Sequence, residues 1–395
     1  MERRAVYLAG AVRTPIGSYG GVFKEIKAVE LGKTSVKETL SRTGITHDSV
    51  DELIFGHSRQ AGNRPNPARQ VVRLSGLPDE VPAWTLNQAC ASGLRSIVAA
   101  AQSVALGDGN AIIAGGMESM STTPYLLMKA RWGYRLGHSE LLDAQYWDGF
   151  MCPLCSELMG ETAENLVEKY GITREEQDEY AALSQQKYES SFNEGKFESE
   201  IAAVELSDKK GNITQINKDE NPRRGVTVES LSKLKPIFRE EGIVHAGATS
   251  GITDGAASML VLSKECAEEH NIEPMARLVG YSIVGLDPKQ MGLGPVPALQ
   301  KLEENTGVKV KDVDLIEINE AFAAQVIACQ RELNIDEEKL NVNGGAIALG
   351  HPIGCTGARI TVTLLHEMQR RKSKYGIATL CVSGGMGIAV LFEKV

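Results

Sequence analysis

The chain has no run approaching the ~20 consecutive apolar residues that a bilayer-crossing helix needs, so no membrane span is expected. Positive charge is in deficit. With 42 lysines and arginines against 51 aspartates and glutamates, the net charge of −9 excludes a generally nucleic-acid-binding surface. A local basic pocket for an anionic ligand is still compatible with that balance. The seven cysteines are odd in number and scattered, which argues against a disulfide framework and for reduced thiols. Cys152 and Cys155 form a CxxC pair in MCPLC, but no second CxxC or nearby CxxH completes a zinc site. No thioredoxin-like βαβ pattern surrounds the pair either, and no metal is expected. MERRAVYLAG lacks a cleavable apolar core behind its arginines, and FEKV is no retention or peroxisomal address. The expected location is the cytoplasm.

What is present reads as an α/β protein. At 395 residues the chain exceeds the usual size of one core, so two or three domains are expected. Val6–Ala11 reads as a strand, Leu31–Ser41 as a helix, Asp51–Gly56 as a strand, Cys90–Leu106 as a helix and Ala111–Gly115 as a strand. The final third repeats this order, with strands at Leu315–Asn319 and Ile377–Cys381 and a helix at Gly357–Gln369. SGLR at 92–95 matches TGAR at 356–359, and GGM at 115–117 matches GGM at 384–386. These matches predict two similar α/β halves whose loops meet around the chemistry. Residues 121–248 differ in character and read as a large insertion able to cover a site. Its polar helix, Thr173–Asn193, reads as a solvated amphipathic face.

Four segments carry candidate chemistry. In NQACASGLRSI, Cys90 stands where an extended run meets a helix, among small neighbours. A cysteine in a first helical turn faces unpaired N–H groups and the positive end of the dipole, which lowers its thiol pKa. The same N–H groups would make an oxyanion hole. In NGGAIALGHPIGCTGAR, His351 is set among glycines and stiffened by Pro352, as an acid–base imidazole would be. In ATLCVSGGMGIAV, Cys381 ends an apolar strand, and the glycines after it point to a cavity. In EINEAFAAQ, Asn319 follows a strand; its bland reading is a helix N-cap.

Together, and in this order, the segments resemble the thiolase family, nearly end to end. VRTPIG, PARQ, RWGYR, MGETAEN, MGLGPVPA, NEAF and GHPIGCTGAR carry the likeness alongside the Cys90 segment. The resemblance implies two α/β halves in a layered αβαβα core, at 1–120 plus 249–273 and at 274–395. A loop domain at 121–248 would bind CoA and support a homotetramer, a dimer of dimers. It implies an acyl-transferring enzyme that makes or cleaves 3-oxoacyl-CoA, with acyl-CoA and CoA as substrates and no cofactor. Cys90 would be the acyl-accepting nucleophile and His351 its base. Cys381 would move the proton on the α-carbon, and Asn319 would hold a water beside a thioester enolate. The N–H groups of Cys90 and Ser383 would form an oxyanion hole. Arg223, Arg224, Ser230 and Ser250 would contact CoA, with Lys233 and Lys235 adding positive charge. Met159, Met291 and Phe322 would line the acyl and pantetheine end.

Three positions depart from the family pattern. Ser383 replaces the first of three glycines, and its N–H can still donate if the backbone suits a residue with a Cβ. Leu158 stands where many acetoacetyl-type members carry histidine and several longer-chain members an apolar residue. Ala248 replaces a usual asparagine near Ser250. Acetyl-CoA C-acetyltransferase is the first expectation and a longer-chain 3-oxoacyl-CoA thiolase the second. A decarboxylating β-ketoacyl synthase would pair two histidines with its cysteine, whereas this chain offers Asn319 and Cys381. A non-catalytic acyl-CoA-binding relative would be expected to lack Cys90, His351 or Cys381, and a CxxC oxidoreductase would make the four segments coincidental.

Overall fold

A computed structural model describes residues 4–395. The first half contains β1 (Val6–Arg13), β2 (Glu52–Gly56), β3 (Ala83–Leu86), β4 (Ala111–Ser119) and β5 (Thr253–Ser263). The second contains β6 (Ala276–Gly285), β7 (Leu315–Ile318), β8 (Tyr375–Val382) and β9 (Met386–Lys394). Hydrogen bonding orders the first set β1-β5-β4-β2-β3 and the second β6-β9-β8-β7. In both, two antiparallel pairings are followed by a parallel one. The duplication read from SGLR/TGAR and GGM is therefore present in the topology. The halves are joined edge to edge, where β1 pairs with β6 through Tyr7↔Arg277 and Leu8↔Ala276.

Two helices, α1 (Ser92–Leu106) and α2 (Ile353–Arg371), occupy the centre and pack against each other. Leu94, Ile97, Ile360 and Leu364 join Met259, Leu380 and Val390 of the sheets in one central core. Separate apolar clusters lie outside each sheet, under Ala28–Thr43 and Pro67–Ser75 on one side and Pro295–Thr306 and Ala323–Leu333 on the other. The result is helix, sheet, helix, sheet, helix. The repeated motif has a steric reason. A Cβ at Gly93 would lie 2.7 Å from the Ala358 backbone nitrogen, and one at Gly357 would overlap the backbone of Leu94. Glycine at both crossing points lets the central helices touch main chain to main chain.

The insertion holds α3 (Met159–Tyr170) and α4 (Arg174–Asn193), the latter closed at its start by a Thr173–Glu176 capping box. The sequence predicts a solvated face for α4, and this is corrected by its buried Gln177, Asp178, Ala181, Ala182, Ser184, Gln185 and Tyr188. Apolar periodicity misses such a face because several of the buried side chains are polar and hydrogen-bonded.

Candidate active site

Backbone hydrogen bonds bring three loops together. Ser250 N donates to Ala321 O (3.1 Å), and His351 N donates to Gly251 O (2.9 Å). The segment after the insertion is thus stitched between NEAF and the His351 loop. Glu320 of NEAF is buried and accepts from Tyr180 and Ser184 of α4, from Asn341 and from the Ile347 N–H, at 2.7–3.1 Å. Four donors on one desolvated carboxylate fix the histidine loop against the insertion.

The strand–loop–helix junctions then deliver three reactive side chains to one cavity of about 740 Å³, lined by Cys90, His351 and Cys381. Cys90 lies two residues ahead of α1, preceded by Ala89 in the left-handed region at φ 46°. His351 lies two residues ahead of α2. Cys381 ends β8. The turn after it places positive φ on Gly384 and Gly385, while Ser383 keeps an ordinary backbone that tolerates a Cβ. The N–H groups of Ser383 and Cys90 both bear on the Cys90 sulfur.

The electrostatics correct one expectation. Burial pushes the Cys90 thiol up, and the Ser383 N–H, the Arg59 charge and its own N–H only partly offset that. The lowering expected at a helix tip is outweighed by desolvation. Burial and the neighbouring Cys90 push Cys381 well above the ordinary thiol range. His351 is held down to about 3 by burial, then by the charges of Arg359 and Arg59. The resting triad is therefore two neutral thiols and a neutral imidazole. The tautomer follows from the network: Thr356 Oγ1 donates to Pro352 O (3.0 Å), so it accepts from His351 Nδ1 at 2.6 Å. Nε2 is left as the basic nitrogen, 3.5 Å from Asn319 Nδ2.

Asn319 is buried, its Oδ1 has no partner among the described residues, and it does not cap the helix, which starts at Ala323. Met159, Met291 and Phe322 line the cavity, together with Leu158 and Phe238, whose ring meets Phe322 edge-on at 5.9 Å. Arg223 and Ser250 also line it. Arg224 and Ser230 do not. Arg224 packs over Phe192, with 5.4 Å from guanidinium carbon to ring centre, and Ser230 completes a capping box with Thr227, the N-cap of its own short helix. Lys233 is paired with Glu229 at 2.9 Å. Ala248 is turned into an apolar cluster with Ala181, Ala182 and Ile347. Cys152 and Cys155 lie on a small hairpin beside the site, with the two thiols interacting.

Glu118 and Arg59 escape a reading by motif. Glu118 follows the first GGM and accepts from the N–H groups of Ser58, Arg59 and Gly354 at 2.8–3.1 Å, with His57 Nε2 3.1 Å away. Burial opposes its ionisation, but His57, Arg59 and the Gly354 N–H hold its pKa below the usual range. It ties the loop after β2 to the start of α2.

Comparison with known proteins agrees with this architecture. Residues 6–265 match the thiolase N-terminal domain and residues 272–394 the thiolase C-terminal domain. A probable acetyl-CoA acyltransferase of Staphylococcus aureus is 47% identical over 389 residues, covering 98% of this chain and 99% of that protein. An acetyl-CoA acetyltransferase of Syntrophomonas wolfei is 49% identical over 394 residues, 99% of each. The crystal structure of the Bacillus anthracis acetyl-CoA acetyltransferase superposes at TM-score 0.98, with 45% identity and full coverage of both chains. Human mitochondrial 3-ketoacyl-CoA thiolase, solved in complex with CoA, superposes at 0.95 with 40% identity, covering 99% of this chain and 98% of that one. The chain belongs to the thiolase family of acyl-transferring enzymes.

Proposed function

We propose that the protein is an acetyl-CoA C-acetyltransferase working by ping-pong kinetics through an acyl-Cys90 intermediate. The observation that carries this is the convergence of two thiols and an imidazole on one cavity, with two N–H groups at the Cys90 sulfur. In thiolysis, His351 Nε2 takes the Cys90 proton as the sulfur attacks the 3-oxo carbon. The acetyl-CoA carbanion departs and is protonated by Cys381. CoA then enters and takes the acyl group, its thiol proton restoring Cys381 while His351 returns the first proton to the departing Cys90 sulfur. The N–H groups of Cys90 and Ser383 receive one developing oxyanion, and His351 with a water on Asn319 the other. CoA would be held along Arg223 and Ser250, the two of the four expected contacts that line the cavity. A mass increase of one acetyl group on Cys90 after incubation with acetyl-CoA tests the reading; an unmodified Cys90 in active protein would sink it.

Longer 3-oxoacyl chains are the second reading, favoured by apolar Leu158 in the wall and by a further cavity of about 730 Å³ adjoining the first. A chain-length profile of CoA-dependent thiolysis separates the two. The protein is further proposed to be a homotetramer. Support comes from the exposed Tyr125, Leu127, Met128, Trp132, Leu136 and Leu141, more apolar surface than one short segment ordinarily leaves in water.

A further inference from the structure

The Arg59 guanidinium is buried and, among the described residues, forms no salt bridge. Its side chain stands on the loop after β2 and is only 4% exposed. Nη1 donates to Ser58 Oγ at 2.9 Å, and the guanidinium lies over the Phe150 ring, 5.6 Å from its centre. Nε is buried with no partner, and among the described residues Nη2 has no hydrogen-bond acceptor. Glu118 is near enough for the two charges to favour each other, but it makes no ion pair with the guanidinium. Its oxygens are taken up by the N–H groups of Ser58, Arg59 and Gly354. Space has been cleared for this side chain, because a Cβ at Gly149 would overlap its guanidinium.

A desolvated cation with open donors is costly to keep unless something anionic completes it. Its location says what. Arg59 lines the cavity of Cys90 and also the adjoining one, with Gly149, Met159 and Ser383, whereas Arg223 and Ser250 line the first cavity alone. Arg59 thus marks the end that leads away from the CoA contacts. It is close enough to Cys90 for its charge to favour the thiolate. In thiolysis the acyl remainder is carried on Cys90, and the adjoining cavity, which shares Arg59, Met159 and Ser383 with the first, gives its far end room.

We propose that Arg59 recognises a carboxylate at the distal end of the acyl chain, making this enzyme suited to 3-oxoacyl-CoA thioesters derived from dicarboxylic acids. This rests on the acyl-Cys90 reading above. The chemistry balances without a further reactant. The C2–C3 bond breaks, C3 bonds to Cys90 sulfur, and C2 takes a proton from Cys381 to leave acetyl-CoA. The thiol of a second CoA then accepts the carboxylated acyl group, and its proton returns to Cys381. Throughout, the distal carboxylate stays ionised against the free face of the guanidinium.

The test compares kcat/KM for the CoA monothioester of a six-carbon 3-oxo-dicarboxylic acid, and its eight-carbon homologue, with the uncharged 3-oxoacyl-CoA of equal length. The expected result is a preference of tenfold or more for a carboxylated substrate in the unaltered enzyme. In Arg59→Gln that preference should disappear, a fall of at least about tenfold, because one partner of the buried charge pair is gone. Equal loss on both substrates would mean that Arg59 acts only on the thiolate, and would overturn the inference. So would a preference of the unaltered enzyme for the uncharged chain, a comparison that depends on no variant folding. Acetoacetyl-CoA serves as the control. If it is cleaved without any preference for a carboxylated chain, this inference alone fails; if no substrate is cleaved, the acyl-Cys90 reading fails with it.

Discussion

Burial sets the character of every reactive group in the cavity. Cys90 and Cys381 are raised and His351 is lowered, all with desolvation as the largest cause. In the proposed mechanism a neutral thiol near a neutral base is spared adventitious chemistry and becomes a nucleophile when a carbonyl occupies the oxyanion donors. Replacing Cys90 by Ser keeps the shape but exchanges a thiol for a hydroxyl of far higher pKa. Thiolysis should fall by at least about 1,000-fold, and acetyl transfer to residue 90 should vanish in intact-protein mass spectra. His351 also links stability to pH. Its folded pKa of about 3 lies below the ordinary value of 6.5. The unfolded chain therefore binds the proton more readily, and stability falls as pH drops from 6.5 toward 3. At pH 5 this one group should cost about 2 kcal/mol. His351→Asn should flatten that part of the pH dependence in denaturant titrations. An unchanged slope would assign the acid sensitivity to other groups, such as His366 and His245, which burial also lowers.

Among the elements, the central helix pair is the most exacting. Gly357→Ala places a methyl group against the backbone of Leu94, which cannot give way as a flexible side chain could. A loss of about 2–4 kcal/mol in urea unfolding is expected. Much of this level could be read from the sequence. SGLR and TGAR predict twin helices, and the glycines around Cys90, His351 and Cys381 predict loops open to a ligand. The rest depended on tertiary pairing. Nothing local to Arg59 says that its charge ends up beside a cysteine 31 positions later. The polar α4 hides its buried face because Tyr180 and Ser184 answer Glu320, a partner 140 and 136 residues away. Family resemblance makes Arg224 a CoA contact, with Lys233 adding positive charge, but the sequence does not show that a ring packs under the one and a glutamate pairs with the other.

For the whole molecule, the exposed segment around Trp132 and the two joined halves set different expectations. Trp132→Asp should reduce the proposed tetramer to smaller species in light scattering at micromolar concentration. An unchanged mass would place the assembly surface elsewhere. The joined halves have another effect. The proposed nucleophile and base sit just ahead of two helices held at a main-chain crossing, and peptide groups, unlike side chains, have no alternative rotamers to repack into. Their separation is therefore insulated from the outer layers. Leu40→Ala beneath Ala28–Thr43, or Leu299→Ala in Pro295–Thr306, should lower the melting temperature while leaving turnover nearly untouched at temperatures where the protein stays folded. The outer helix layers of this enzyme can therefore change in sequence, trading stability up or down, without retuning the chemistry at its centre.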